Sequence, residues 1–153
     1  MKINISKKQY NTLIMMSQLS GWVLGILGDS LPDEQIDYKK LSNEQNDLEK
    51  YILSFAKEFN QENRLESYED ELFLKEEEAE KYHEIIFDYE EYVFWSELEN
   101  RLAKRDFYRT ITKEEKKELE KNFWLPKRFF EIEQEYRDEF EENDIERLEI
   151  KEV

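Results

Sequence analysis

The sequence predicts a mainly α protein: a single helical domain over residues 1–153, with a short two-stranded β piece joining the termini. Three observations carry this. Glycine and proline are scarce, three and two residues, while 41% of the chain is charged, a composition that favours helix over turn-rich β structure. Ser6 with Gln9, Ser42 with Gln45 and Thr112 with Glu115 each show the spacing of a helix-opening capping box. Apolar residues recur at three and four positions over long stretches. Aromatic residues make up 14% of the chain, so its charge does not imply disorder, and 153 residues are enough to bury a core.

In chain order, Lys2 to Ile5 reads as a short strand, after which Ser6 opens a helix. Leu13 to Leu27, LIMMSQLSGWVLGIL, is read as a buried core helix. It is shorter than a membrane span needs, it contains Ser17, Gln18 and Ser20, and the leader before it is long and polar. Residues 29 to 41 read as a connection that includes Pro32. A second helix from about Asn43 to Phe59 follows the Ser42 cap, with Leu48, Tyr51, Ile52, Phe55, Ala56 and Phe59 as its stripe. Asn60 to Tyr68 reads as loop, and Leu72 to Leu74 as an extended piece or a first helical turn.

Glu76, Glu77, Glu78 and Glu80 suit a first helical turn, where carboxylates complement the helix dipole. They open the hub, Tyr82 to Phe107. Between Phe87 and Trp95 the chain carries Phe87, Tyr89, Tyr92, Val93, Phe94 and Trp95. A helix apolar on all sides is expected to be buried. Either one long helix lies in the middle of a bundle or the helix breaks near Asp88 and restarts; Asp88 followed by Glu91 has capping spacing, which favours the break. Thr112 opens a short helix to about Asn122, and Trp124-Leu125-Pro126 stops it. Pro126 suits the first turn of a last helix running to about Glu142, with Phe129, Ile132, Tyr136 and Phe140 inward. The tail, Arg147 to Val153, alternates like a strand and pairs with Lys2 to Ile5 in this reading.

The chain has no cysteine, which excludes disulfides and thiolate chemistry and suits a cytoplasmic setting. Its net charge of -16 argues against general binding to nucleic acid, whose backbone must be neutralised. Against this, Arg101 to Arg128 holds ten Lys or Arg and five Asp or Glu, a net +5 that either answers acidic faces of the same fold, the favoured reading, or contacts something anionic. Glu80-x-x-His83 has di-iron spacing, but His83 is the only histidine, and such sites need two copies. No metal and no cofactor are expected.

Two resemblances bear on function. Gly28-Asp29-Ser30-Leu31 resembles the nucleophile block of the GDSL esterase and lipase family, which would make Ser30 the nucleophile. The family's Asp-x-x-His pair is missing, since Glu80 precedes His83 at that spacing, and so is its Gly-x-Asn-Asp block. A serine without a positioned base is a poor nucleophile. Phe94 to Asp106, FWSELENRLAKRD, resembles an FW-x-E-L-x-x-R-L-A-x-R-D phrase of small, acidic helical proteins of bacteria and phages. That implies such an origin and no particular activity.

The expected function is therefore non-catalytic: an acidic protein that binds a basic surface of a partner protein, as an inhibitor, immunity or anti-defence protein does, with imitation of nucleic acid as one route. The partner could itself be a nucleic-acid-binding protein; no membrane is involved. The candidate contact residues are Glu131, Glu135, Asp138 and Glu142, which share one face of the last helix, with Glu76, Glu77 and Trp124. One alternative is an accessory subunit of a larger bacterial assembly, anchored by Phe123, Trp124 and Phe130. Another is a small hydrolase built on Ser30, or on Asp29 and Asp33 as metal ligands.

Overall fold

Ser6 opens the first helix as its sequence requires: the Gln9 amide donates to Ser6 Oγ, and the Ser6 amide donates to Gln9 Oε1 at 2.8 Å. The computed structural model describes residues 3–31, 36–122 and 124–149. The order is α1 (Lys7–Ser30), α2 (Tyr38–Leu53), 3-10 turns at Ala56–Phe59 and Glu62–Arg64, β1 (Leu65–Tyr68), β2 (Glu71–Leu74), α3 (Glu76–Thr110), α4 (Lys113–Asn122) and α5 (Lys127–Asn143). The mainly α class with one short two-stranded sheet stands. The chain divides into two compact units, Met1–Phe87 and Asp88–Val153.

In the first unit α1 and α2 pack through small and polar groups. Ser17, Ser42 and Gln45 are buried. Gln45 Nε2 donates to the Ser17 carbonyl at 2.7 Å, while Ser17 Oγ and Gln18 Nε2 donate to the Glu49 carboxylate. Gly21 lies against the Gln45 amide, and Gly28 lies so close to the Lys39 backbone that a Cβ would sit 3.2 Å from it. The apolar core is beside this seam: Tyr10, Ile14, Leu53 and Leu74. The Tyr10 ring stacks on Phe59 with centroids 4.2 Å apart, and its hydroxyl donates to the Ile52 carbonyl. Arg64, nearly enclosed, donates to Glu78, Asn11 and Tyr82.

Several expectations are corrected here. α2 begins at Tyr38, five residues before the Asn43 expected, capped by Asp37, whose carboxylate accepts from the Lys40 amide at 2.7 Å. Ser42 and Gln45 are inside the helix because their side chains are needed in the seam. α2 stops at Leu53, and the chain tightens so that Phe59 can reach Tyr10. Its expected inward residues Leu48 and Tyr51 are exposed; the inward face is Ser42, Gln45, Glu49 and Leu53. The sheet is a hairpin, Leu65 opposite Leu74 through Tyr68 opposite Glu71, antiparallel. It is not made by the termini: Ile3–Ile5 and residues 147–149 form no strand, and 1–2 and 150–153 lie outside the described residues. Glu69 and Asp70, both at positive φ, form the two-residue turn, the conformation that suits strand twist.

α3 is unbroken at Asp88. No glycine or proline interrupts its 35 residues, about 52 Å at the usual rise. Glu91 does not complete a cap with Asp88; its carboxylate accepts from the Trp95 indole N–H at 3.1 Å. The hub is also less buried than expected. Ile85 and Phe87 in the first unit, and Tyr89, Tyr92 and Phe94 in the second, are exposed, Tyr92 at 72%. Trp95 is half-buried, its ring 5.5 Å from that of Phe140.

The second unit's core is Ala103, Phe107 and Phe129, with Leu119, Leu125, Ile132 and Tyr136 around it. Phe107 and Phe129 meet edge to face at 5.9 Å, and the Arg128 guanidinium lies 5.1 Å from the Phe107 ring centre. Thr112 and Glu115 complete the cap of α4, and Pro126 precedes the first residue of α5, both close to expectation.

Candidate functional site

The second unit carries most of the candidate acidic surface. α5 turns Phe129 and Phe140 inward, which leaves Glu131, Glu135, Asp138 and Glu142 exposed to water. Glu131 is paired along the helix with Lys127 at 2.8 Å. Asp138 accepts from the Gln134 side-chain amide at 2.7 Å. Glu135 borders a depression of about 360 Å³ with Asp106, Ile132, Tyr136 and Glu139.

Glu142 borders a more telling cleft of about 410 Å³. Trp95 and Phe140 contribute aromatic walls, the carboxylates of Glu91, Glu141, Glu142, Asp144 and Glu146 surround it, and among the described residues no Lys or Arg lines it. Asp144 closes α5 at positive φ, with its own carboxylate accepting from the Ile145 amide. Among the described residues no three His, Cys, Asp or Glu side chains are arranged to hold a metal ion. An open acidic cleft with aromatic walls is chemically suited to a flat or flexible cation, such as a guanidinium or ammonium side chain.

The other candidates lie elsewhere. Glu76 and Glu77 open α3 in the first unit, exposed, beside an acidic depression shared with Glu66, Lys75 and Glu80. Trp124, between α4 and α5, is 79% exposed, and Phe130 is exposed as well. Phe123 lies outside the described residues, as do Pro32 and Asp33.

The basic stretch divides by residue type. Its arginines answer carboxylates of their own unit: Arg101 with Glu97, Arg105 and Arg109 with Asp106, Arg128 with Glu115. Among the described residues Lys104, Lys113, Lys116, Lys117 and Lys121 make no ion pair within 4.0 Å. The Asp106 carboxyl is pulled down to about 2 by hydrogen bonds from Arg105 and then Tyr136, and Glu115 to about 2 by Arg128 and the Thr112 backbone. These are structural pairs.

Ser30 is the exposed last residue of α1. His83 packs its ring 4.4 Å from Trp22, and no hydrogen bond joins the two among the described residues. Asp29 is paired with Lys39 at 2.7 Å.

The exposed rings Tyr89, Tyr92 and Phe94, with Glu91 and Glu141 in the cleft, go beyond the contact residues expected from the sequence. A signal for them exists there. Residues 82–100 contain no Lys or Arg and six carboxylates, and carboxylates interleaved on every side of a helix cannot all be buried. Comparison with known proteins gives no family model, no curated protein and no solved structure that matches this chain. No described helix is long and apolar enough to cross a membrane.

Proposed function

We propose that this chain is a non-catalytic, cytoplasmic interaction protein whose second unit binds a basic surface of a partner protein, in the manner of an inhibitor, immunity or anti-defence protein. The observation that supports this best is the cleft walled by Trp95 and Phe140 and ringed by five carboxylates, with no Lys or Arg lining it among the described residues. A basic partner supplies the missing charge, and an Arg or Lys side chain can lie against the rings while its head meets the carboxylates. The outward row Glu131, Glu135, Asp138 and Glu142 extends the same field along α5. A partner that normally binds nucleic acid would present suitable basic groups.

Reversing those four residues to Lys tests the proposal. The variant remains folded, because exposed charges contribute little to stability. It associates at least about tenfold more slowly with the protein recovered alongside the tagged chain from its host, and the wild-type rate falls as salt rises from about 50 to about 500 mM. Unchanged association in the folded variant removes this surface from the proposal.

A second reading, an accessory subunit anchored by aromatic side chains, is favoured by one observation: Trp124 and Phe130 are large, exposed and close in sequence. Loss of association in Trp124→Ala, with salt dependence absent, would select it.

A further inference from the structure

From Gln9 to Gly28 α1 carries no charged side chain, twenty consecutive residues in a chain that is 41% charged. Its contact with α2 uses Tyr10, Ile14, Ser17, Gly21 and Gly28, which share one face, so the large apolar groups between Leu13 and Leu27, apart from Ile14, fall on other faces. Leu13, Met16, Ser20, Val23 and Leu27 are spaced three, four, three and four residues apart, the spacing of a helix-pairing seam. Within the first unit nothing covers them fully: Met16 is 56% and Val23 44% exposed, Leu13 and Ser20 are exposed, and Leu27 is half-buried. Leu41 and Leu48 of α2 are exposed too, and helical periodicity puts both on one side of α2, next to the face it buries against α1.

We infer that this face pairs with the same face of a second copy of the chain, with the two α1 helices antiparallel about a twofold axis at Ser20. The seam is its own complement when reversed. Leu13 meets Leu27 of the second copy, Met16 meets its Val23, and Ser20 meets its Ser20. The small residue falls at the crossing point, where it lets the helices approach. A twofold contact of this kind requires each residue to find its partner on the same patch. Charge points the same way. Two copies each carrying -16 repel wherever carboxylates face one another, and the seam is free of them. The area suffices as well. Two adjacent helices present a face roughly 20 Å across and about 30 Å long, about 600 Å² in projection, and side-chain relief brings that near the ~800 Å² that a stable interface takes from each partner.

The chain's lack of cysteine makes the test direct. The wild-type chain sediments as a dimer. Ser20→Cys stays folded and forms a disulfide-linked dimer on mild oxidation, because Cα atoms at a twofold crossing fall within the ~4.4–6.8 Å that a disulfide spans. Ser96→Cys, exposed on α3, does not cross-link faster than random collision allows. Val23→Glu, with circular dichroism matching wild type, raises the dimer dissociation constant at least about 100-fold, because two carboxylates are then trapped in the seam. A wild-type chain that sediments as a monomer at about 100 μM, an association too weak to matter, overturns the inference. So does a dimer in which Ser20→Cys links no faster than Ser96→Cys, since copies would then meet elsewhere or another occupant would cover this face.

Discussion

Between α1 and α2 the first unit buries two serines and a glutamine against glycines, whereas the second unit buries Ala103, Phe107 and Phe129 against one another. The two solutions place apolar side chains in opposite ways. A seam of small residues lets backbones come close, but beyond Tyr10 and Ile14 it leaves Met16, Trp22, Val23 and Ile26 of α1 turned outward and obliges the buried polar atoms to find partners. Glu49 and Ser17 meet that need for most of them; Gln45 Oε1 is left without a hydrogen bond among the described residues. An aromatic core keeps its apolar groups, and its ionic groups pair beside it, Glu99 buried against Arg137 and Arg105, Asp106 and Tyr136 in a cluster at the edge. Packing in the first unit is therefore sensitive to shape at the backbone, and in the second to volume and charge.

The largest effect expected from this difference is at Phe107, which is fully buried. Phe107→Ala destabilises by about 3–5 kcal/mol in denaturant unfolding. Tyr92→Ala, on the same helix but 72% exposed, stays within about 0.5 kcal/mol. Equal losses would mean that the middle of α3 is buried and that the comparison is wrong. Trp95→Ala falls between the two, because the ring is only half-buried.

Acid gives the next effect. The Asp106 carboxyl ionises near 2 in the folded chain, below its ordinary 3.8, so its stabilisation is present above the ordinary value and is lost as pH falls through the folded one. Over that window the second unit loses at most about 2 kcal/mol, nearer about 1 after solvent screening. Glu115, lowered to about 2 from 4.5, adds to the loss in the same direction. Tyr136→Phe removes a hydrogen bond from Asp106 and shifts the acid transition upward. A melting profile that is flat between pH 4 and 2, the interval set by these carboxyls, would deny the cluster a role.

The smallest effect belongs to the glycines of α1. A Cβ at Gly25 meets nothing within 4 Å, whereas one at Gly28 meets the Lys39 backbone at 3.2 Å. Gly25→Ala stabilises by about 0.5–1 kcal/mol, the usual gain in a helix interior. Gly28→Ala gives no such gain, because α2 must move back. Equal gains at both sites would show that the seam tolerates a wider separation than its hydrogen bonds imply.

Local chemistry makes much of this legible in the sequence. The caps at Ser6 and Thr112, the start of α5 after Pro126 and the outward row on α5 all rest on local chemistry or on a strict helical period, and each appears where expected. What was misread needed a partner to decide it. Ser42 and Gln45 satisfy a capping pattern equally well as a buried polar pair, and only the approach of α1 at Gly21 selects the second. The aromatic run from Phe87 to Trp95 satisfies the pattern of a buried hub, yet exposure depends on whether another element lies against it. The two-stranded sheet went to residues 65–74 because Glu69 and Asp70 accept left-handed backbone, a tolerance usual for Asp but not for Glu, so the pair carries only half of a turn signal.

The middle of α3 is unbroken helix with exposed side chains on several sides. Helical amides there are hydrogen-bonded but lightly packed, which makes local opening easiest at that point. Residues 82–100 contain no Lys or Arg but hold Glu84, Glu90, Glu91, Glu97 and Glu99. Trypsin has no bond to cut in this stretch, however often it opens. An endoprotease specific for glutamate has five, so limited digestion with that enzyme cleaves the chain in the middle of its longest helix and releases fragments close in size to the two units.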